Sequence, residues 1–239
     1  MRVSDKAIVL QAIKHGDNRY IVKLYTLHNG LITVAATAGK SASSKIKTGH
    51  LLPLNFIAVE FILKQNRDVQ QLTEAYCYQS NPGLPGSITK LSIAQLMNEV
   101  LIQSLREPQP NEHLFEFIET CFSYLNSSDE DYIGLHLYFL VELTRYLGFE
   151  PHNNYSSENP YFDCRNGGFS PLSIAFPLGL AKEDSLLLSE FLKSDSLRVK
   201  LSNQQRKVLL DILLAYYALH VPGFTDIKSL DVLRDVMNN

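Results

Sequence analysis

The residues best suited to chemistry in this sequence are three lysines and a histidine in one polar loop. The segment 37–50 reads TAGKSASSKIKTGH, in which Lys40, Lys45, Lys47 and His50 stand among small residues. Long flexible cations bind the phosphate groups of a nucleic-acid backbone without reading its bases. The sequence therefore predicts a mobile, exposed, basic loop, which is the first candidate binding site.

Further candidates lie on the strands predicted beside this loop. Arg19 and Lys23 add two cations to one strand, which also carries Tyr20 and Tyr25, and Phe56 lies on a later strand. An outward aromatic ring can stack on bases, whereas an inward ring belongs to the core. Of the three rings, Tyr25 joins the cations in the predicted nucleic-acid surface.

No residue pattern in the sequence indicates an enzyme. Gly39-Lys40-Ser41 resembles the end of a phosphate-binding P-loop, but Val34 stands where that motif needs a glycine. A Gly-x-Ser-x-Gly nucleophile elbow is absent from the sequence. Cys77, Cys121 and Cys164 have neither zinc-site nor disulfide-framework spacing. We therefore expect a binding protein that uses no cofactor and no metal.

Composition limits the class of protein. The chain has 239 residues, of which 45% are hydrophobic, so it can bury a sizeable core and wholesale disorder is excluded. No apolar run or leader-like segment indicates a membrane protein or a secreted one, so a cytoplasmic location is expected. Residues 1–80 carry a net charge of +5 and the remainder −8, which favours two surfaces with different partners.

Alternating apolar residues predict a β-rich first part. The predicted strands are 6–13, 19–27, 31–36, 56–64 and 69–76. Asn29-Gly30 between the second and third of them is a strong hairpin signal. Five short strands within so few residues favour a small closed barrel, which leaves no exposed sheet edges.

Helical periodicity begins after the segment NPGLPG at 81–86, which predicts a boundary between domains 1–80 and 81–239. The predicted helices cover about 87–106, 110–125, 131–147, 182–194, 202–220 and 226–237. Residues 150–179 are predicted to form an insertion with a β-hairpin around 165–168. The predicted class is α+β, a five-stranded barrel followed by a helical bundle with a small β-hairpin insertion.

The order of several short motifs resembles that of the RecO family of DNA repair proteins. The first part shows KAIVLQ from Lys6, a Thr-x-x-x-Gly turn at 26–30, the basic loop, LLPL at 51–54 and QNRDVQQLTEAY at 65–76. The second part matches more loosely, through LTRYLGFEP at 143–151 and GGFSP at 167–171. The resemblance covers most of the chain.

This resemblance implies an OB-fold for the barrel, a helical domain and a zinc-finger-like insertion. It implies a recombination mediator of the RecF pathway, without covalent chemistry, that binds single- and double-stranded DNA and anneals complementary strands. The implied partners are RecR and the C-terminal tail of single-strand-binding protein (SSB), and indirectly the RecA recombinase. The implied location is the bacterial cytoplasm, in association with the nucleoid.

The sequence departs from the family pattern at two places. Many members hold a structural zinc with four cysteines in the insertion, whereas only Cys164 is present here, so a zinc-less hairpin is predicted. The basic loop often starts with a lysine where this chain has Ala36, so its charge begins later, at Lys40. The helix at 131–147 is the expected place for the SSB tail.

Two other functions stay open at this point. The first is an OB-fold protein that binds RNA or tRNA, since this fold binds either nucleic acid. The second is an interaction adaptor whose acidic helical part recruits a basic partner.

Overall fold

A computed structural model of the chain describes residues 1–41, 43–81, 83–106, 109–129, 132–193 and 200–238. The chain forms two compact units. The first comprises residues 1–83 and 105–123, and the second comprises residues 84–104 and 124–239. In the described part of the chain, no helix has both the length and the apolar character that crossing a bilayer requires.

The first unit is built on a closed five-stranded barrel. Its strands are β1 (Arg2–Lys14), β2 (Arg19–Thr26), β3 (Gly30–Thr37), β4 (Phe56–Ile62) and β5 (Val69–Gln79). They follow each other around the barrel in the order β1-β2-β3-β5-β4, and β4 closes it by pairing with β1. All neighbours are antiparallel except β3 and β5. The predicted barrel is confirmed, in the form that the resemblance implies.

The barrel interior is filled by branched and small apolar side chains from every strand. The fully buried set includes Ala7, Val9, Val22, Leu24 and Val34. These residues occupy alternate positions of their strands, as the pleat of a β-strand requires. The alternation in the sequence therefore reports the inner face of the barrel correctly.

The Thr-x-x-x-Gly motif forms the turn between β2 and β3. The Thr26 hydroxyl donates a hydrogen bond to the Gly30 carbonyl at 2.9 Å and accepts one from the Asn29 amide at 3.1 Å. Gly30 has a φ of +63°, a conformation that side chains with a Cβ rarely adopt. The motif is thus explained by turn geometry.

A buried carboxylate on the neighbouring strand β1 holds the same turn in place through hydrogen bonds. The side chain of Asp5 is 0% exposed and accepts hydrogen bonds from the Lys6 amide at 2.8 Å, the His28 amide at 3.1 Å and Asn29 Nδ2 at 2.7 Å. His28 Nδ1 also lies 2.9 Å from its Oδ1. A carboxylate with this many donors holds β1 and the turn in register.

One helix of the first unit covers part of the outer wall of the barrel. Helix α2 (Glu112–Ser127) places Phe115 against Tyr25, with ring centroids 6.3 Å apart, and Phe122 against Phe56 at the same centroid distance. The central part of β1, Ala7–Leu10, is therefore buried on both faces. These contacts explain why most of α2 belongs to the same compact unit as the barrel. The sequence predicted this helix in the helical domain. The division between domains at residue 80 stays a prediction.

The second unit contains the remaining described helices and a hairpin. The elements are α1 (Ile88–Ser104), α3 (Leu135–Leu147), β6 (Tyr161–Asp163), β7 (Gly168–Ser170), α4 (Lys182–Leu192), α5 (Asn203–His220) and α6 (Leu230–Asn238). The predicted helical part with its inserted hairpin is confirmed. Helix α3 begins four residues later than predicted. Residues 131 and 194 of the predicted helices lie outside the described residues.

Helix α6 also begins later than its sequence period indicates. The preceding residues form a loop in which the Lys228 amide donates to Glu99 Oε2 at 2.7 Å and the Thr225 amide to Gln103 Oε1 at 2.6 Å. Both acceptors lie on α1, so long side chains of one helix bind the amides of this loop.

We predict that Asp5→Ala destabilises the protein by about 2 kcal/mol, because it leaves several partly buried donors without an acceptor. Urea unfolding followed by circular dichroism measures this as a lower midpoint. The control is Asp17→Ala in the exposed turn between β1 and β2, which should stay within about 0.5 kcal/mol of the parent. Equal unfolding midpoints for the two variants would show that Asp5 does not fix the turn.

Candidate nucleic-acid interface

The outer wall of the barrel beyond helix α2 is open over β1, β4 and β5. Two cross-strand rows run over it, Ser4–Glu60–Glu74 and Lys6–Ala58–Tyr76. The wall and the loop beside it enclose a hollow of about 510 Å³. We call this surface the open face, defined by Ser4, Lys45, Lys47, His50, Ala58, Glu60, Glu74 and Tyr76.

The basic loop forms one side of the open face because two of its apolar residues enter the core. Ala38 and Ile46 are buried in the barrel core. The Gly39 amide donates to the Ile46 carbonyl at 2.9 Å, and the Ala75 amide on β5 donates to the Lys45 carbonyl at 3.2 Å. The backbone of the described part of the segment is therefore anchored to β5, and the mobility of the loop stays a prediction.

The loop brings three of the predicted site residues together. Lys45, Lys47 and His50 line the same hollow. Lys47 is exposed and has no ion-pair partner among the described residues. His50 Nδ1 lies 2.8 Å from the Ala75 carbonyl, so this nitrogen carries the proton and Nε2 is left as an acceptor in the neutral ring.

The cations of the open face are partly balanced by acidic residues. The Lys45 ammonium donates a hydrogen bond to Glu74, and Arg2 Nε lies 3.4 Å from Glu60 Oε2. The hydrogen bond from Lys45, together with its charge, lowers the pKa of Glu74. A phosphate group that binds Lys45 must therefore compete with a carboxylate that is ionised at neutral pH.

The other predicted site residues lie elsewhere on the barrel. Lys40 is exposed in the loop and Arg19 is exposed at the start of β2, next to a second hollow of about 330 Å³ that Asn18 and Lys45 line. Lys23 is half-buried on β2, and burial, followed by the charge of Arg106, lowers its pKa. These cations surround the barrel and do not converge on one point; their contact with nucleic acid stays a prediction.

Tyr25 differs from the cations because the structure hides its ring. It is 2% exposed, contacts Phe115 and donates a long hydrogen bond of 3.4 Å to the Asn111 carbonyl. Phe56 is 0% exposed and Tyr20 packs against the barrel core. A ring buried under a helix has no face for a base, so Tyr25 is left out of the interface.

Sequence reasoning missed the most exposed aromatic ring of the barrel, Tyr76. The register of β4 and β5 shifts because Glu60 pairs with Glu74 whereas Phe61 pairs with Leu72, which leaves Thr73 as an extra residue. Strict alternation from the buried Leu72 would point Tyr76 inward, and the bulge turns it outward. The usable signal in the sequence was its neighbour Glu74, a residue that rarely faces a core.

A small pocket in the second unit also has unusual chemistry. It measures about 60 Å³ and is lined by His136, Asn203, Arg206, Lys207, Leu210, Leu233, Arg234 and Met237. His136 is 0% exposed, and neither of its ring nitrogens has a hydrogen bond of good geometry. Arg206 Nε and Arg234 Nε are likewise buried and unpartnered among the described residues. The other guanidinium nitrogens do have acceptors, because Arg206 donates to the Leu201 carbonyl and to Asn203, and Arg234 donates to Asp211 at 2.5 Å.

The protonation state of His136 follows from its surroundings. Burial, and next the charge of Arg206, lowers the pKa of His136 to about 4 against the opposing effect of the Ile133 carbonyl. The ring is therefore neutral at physiological pH. Positive charge at this pocket comes from Arg206, from Lys207 and from Arg234, whose charge Asp211 partly balances.

The insertion is held by aromatic packing and carbonyl hydrogen bonds. His220 stacks on Phe149 with ring centroids 5.5 Å apart and places Nε2 2.8 Å from the Cys164 carbonyl. Asp163 accepts hydrogen bonds from the amide of Arg165 and the side chain of Asn166. Among the described residues, no group of three or more His, Cys, Asp and Glu could hold a metal ion. The donor set does not fit a structural zinc.

Comparison with known proteins gives the family. The model described as "Recombination protein O N terminal" matches residues 1–81, and the model described as "Recombination protein O C terminal" matches residues 85–231. A protein of Flavobacterium psychrophilum named DNA repair protein RecO is 32% identical over 242 residues, which cover 100% of both chains. A protein of the same name from Christiangramia forsetii is 33% identical over 240 residues and 99% of each chain. Matched by both family models and similar to these relatives over its whole length, the chain belongs to the RecO family of DNA repair proteins.

Proposed function

We propose that this chain is a DNA-binding recombination mediator that acts without covalent chemistry. It binds single- and double-stranded DNA, anneals complementary strands and, with RecR, helps to load RecA onto DNA coated by SSB. It does so in the bacterial cytoplasm, at the nucleoid. The observation that carries the proposal is the anchored loop, which holds Lys45 and Lys47 at the rim of an open hollow on the barrel.

Charge and shape support a role in DNA binding. The first 80 residues carry a net charge of +5, and the loop lysines are exposed. Lysine contacts phosphate as a point charge without base preference, as a protein that acts on any damaged sequence requires. Annealing needs two strands held close together with their charge screened, and cations around the barrel supply that screening.

We predict that the parent protein binds a labelled single-stranded DNA in fluorescence anisotropy with an affinity that falls steeply with salt and ignores base sequence. Changing Lys40, Lys45 and Lys47 together to alanine should reduce the slope of log K against log salt by up to about 2–3, because fewer counterions are released.

The matched control removes the same charge from the second unit by changing the exposed Lys182, Lys193 and Lys228 to alanine, and it should keep the parent slope. Equal slopes for parent and loop variant would remove the loop from the interface. An RNA of equal length in the same titration separates DNA binding from RNA binding. Tighter binding of RNA would favour the RNA-handling alternative.

Because Lys45 pairs with Glu74, a second variant is predicted to strengthen DNA binding instead of weakening it. Glu74→Gln removes the competing carboxylate without adding a cation, so affinity for DNA should rise about two- to fivefold at low salt. The same anisotropy titration measures this change. Glu190→Gln, at an exposed position of α4, is the control for net charge and should leave the affinity unchanged. A fall in affinity on Glu74→Gln would contradict the proposal that Glu74 competes with a DNA phosphate for Lys45.

The pocket formed by α3, α5 and α6 is our proposed site for the C-terminal tail of SSB. A chain terminus carries a carboxylate, which the unpartnered Nε groups of Arg206 and Arg234 can bind through charge-assisted hydrogen bonds. At Arg234 this carboxylate competes with Asp211, which already pairs with the same guanidinium group. Leu210, Leu233 and Met237 supply an apolar wall beside these groups. Helix α3 contributes His136, so the pocket includes the helix on which the tail was expected.

We predict that a labelled synthetic peptide of the SSB C-terminus binds the full chain and that Arg206→Met weakens this binding about tenfold or more. The methionine keeps the apolar stem and removes one charged donor. A peptide with an amidated C-terminus should bind as weakly as the variant does, because amidation removes the terminal charge.

Lys182→Met on α4 is the control variant and should bind the peptide like the parent, while circular dichroism checks that Arg206→Met is folded. Equal affinity of the acid and amide peptides would show that the pocket does not bind the tail carboxylate.

A further inference from the structure

Tyr76 is an aromatic residue in an unusual position. Its side chain is 68% exposed, whereas Phe56 and Phe61 of the same barrel are 0% exposed. Among the described residues, the aromatic ring it contacts is that of His50, in a T-shaped arrangement with centroids 6.4 Å apart, and its hydroxyl has no hydrogen-bond partner. The ring therefore contributes little to the barrel core, and a structural role does not explain it.

The surroundings of Tyr76 leave one face of the ring free. Its cross-strand neighbour is Ala58, an exposed alanine whose small side chain leaves space in the hollow of about 510 Å³. The next ring along β5, Tyr78, is different because its hydroxyl donates to Glu119 at 2.8 Å and Lys6 Nζ lies 5.3 Å from its ring centroid. Tyr76 is the aromatic residue that the open face presents to solvent.

The charges on the open face favour the phosphates and the bases of a DNA strand at different positions. Glu60 and Glu74 lie in the row beside Tyr76 and disfavour phosphate over β4 and β5. Lys45 and Lys47 on the loop favour phosphate at the rim. A strand whose backbone follows the loop turns its neutral bases toward the hollow and therefore toward the ring of Tyr76.

We infer that Tyr76 is a stacking platform for one unpaired base, so that the open face prefers single-stranded to double-stranded DNA. In a duplex the faces of the bases are already stacked on one another, and an outside ring finds no free face. The loop lysines bind the phosphates of both forms, but only a single strand adds the base contact. This inference rests on the proposed DNA binding and names the form of DNA that the open face selects.

The experiment compares three DNA oligomers: an ordinary single strand, an abasic single strand and a duplex. All three have the same number of phosphates. Tyr76→Ala should weaken binding of the ordinary strand about fivefold or more, the loss expected for one base–aromatic contact, and leave the abasic strand and the duplex unchanged. Tyr76→Phe should bind like the parent, since it keeps the ring. Phe176→Ala removes an aromatic residue with 60% exposure from the second unit and is the control.

A 2-aminopurine base in the strand gives a second readout that a merely structural role would not change. Its fluorescence should fall on binding to the parent and to Tyr76→Phe, and should fall much less on binding to Tyr76→Ala. If Tyr76→Ala lowers affinity for all three oligomers equally, or for none, the inference is wrong. In either case the proposed function survives as long as the loop lysine variant still loses salt dependence.

Two other outcomes also overturn the inference. If Tyr76→Ala leaves every DNA affinity unchanged but weakens association with RecR, the open face is a protein-binding surface. If the parent binds none of the three oligomers at low salt, the proposed DNA binding fails as well.

Discussion

The packing of helix α2 on one part of the barrel wall determines which surface remains for binding. Phe115 and Phe122 bury the outward faces of Tyr25 and Phe56, so this part of the wall becomes core. The part over β1, β4 and β5 that surrounds the hollow stays open, and no described residue of α2 lines it. The position of one helix thus makes Tyr25 and Phe56 part of the core, and leaves the other side of the barrel as the candidate interface.

The architecture could be predicted because its signals are local. Alternation of apolar residues reports Val22 and Leu24 as inward, and Asn29-Gly30 marks the turn that Thr26 and the backbone of Gly30 complete. Helix ends were less accurate, since α3 and α6 both begin later than their periods indicate. For α6 the cause is a loop whose amides bind Glu99 and Gln103 of α1, a contact between residues distant in sequence.

The interface was predicted only in part, because its missing features depend on pairing between distant strands. The lysines of the loop are visible as composition, but the burial of Ile46 and the contact of Lys45 with β5 are not. Tyr76 faces outward only because Thr73 is a bulge in the register with β4, and no period in the sequence shows a single extra residue. Likewise, the pocket beside His136 and its unpartnered nitrogens is formed by residues of α3, α5 and α6, which are distant from one another in the sequence.

Ion pairs between side chains reduce the positive charge that the barrel can offer to DNA. A net charge of +5 suggests a strong binder, yet Lys45 already pairs with Glu74 and Arg2 with Glu60. In the proposed complex, phosphate replaces a carboxylate at Lys45, so the contact at Lys45 yields less free energy than a free lysine would give. Weak, exchangeable contacts suit the proposed annealing of strands, which ends with release of the product. In the proposed complex the acidic residues of the open face therefore matter as much as the lysines, because they keep the DNA from being held too tightly.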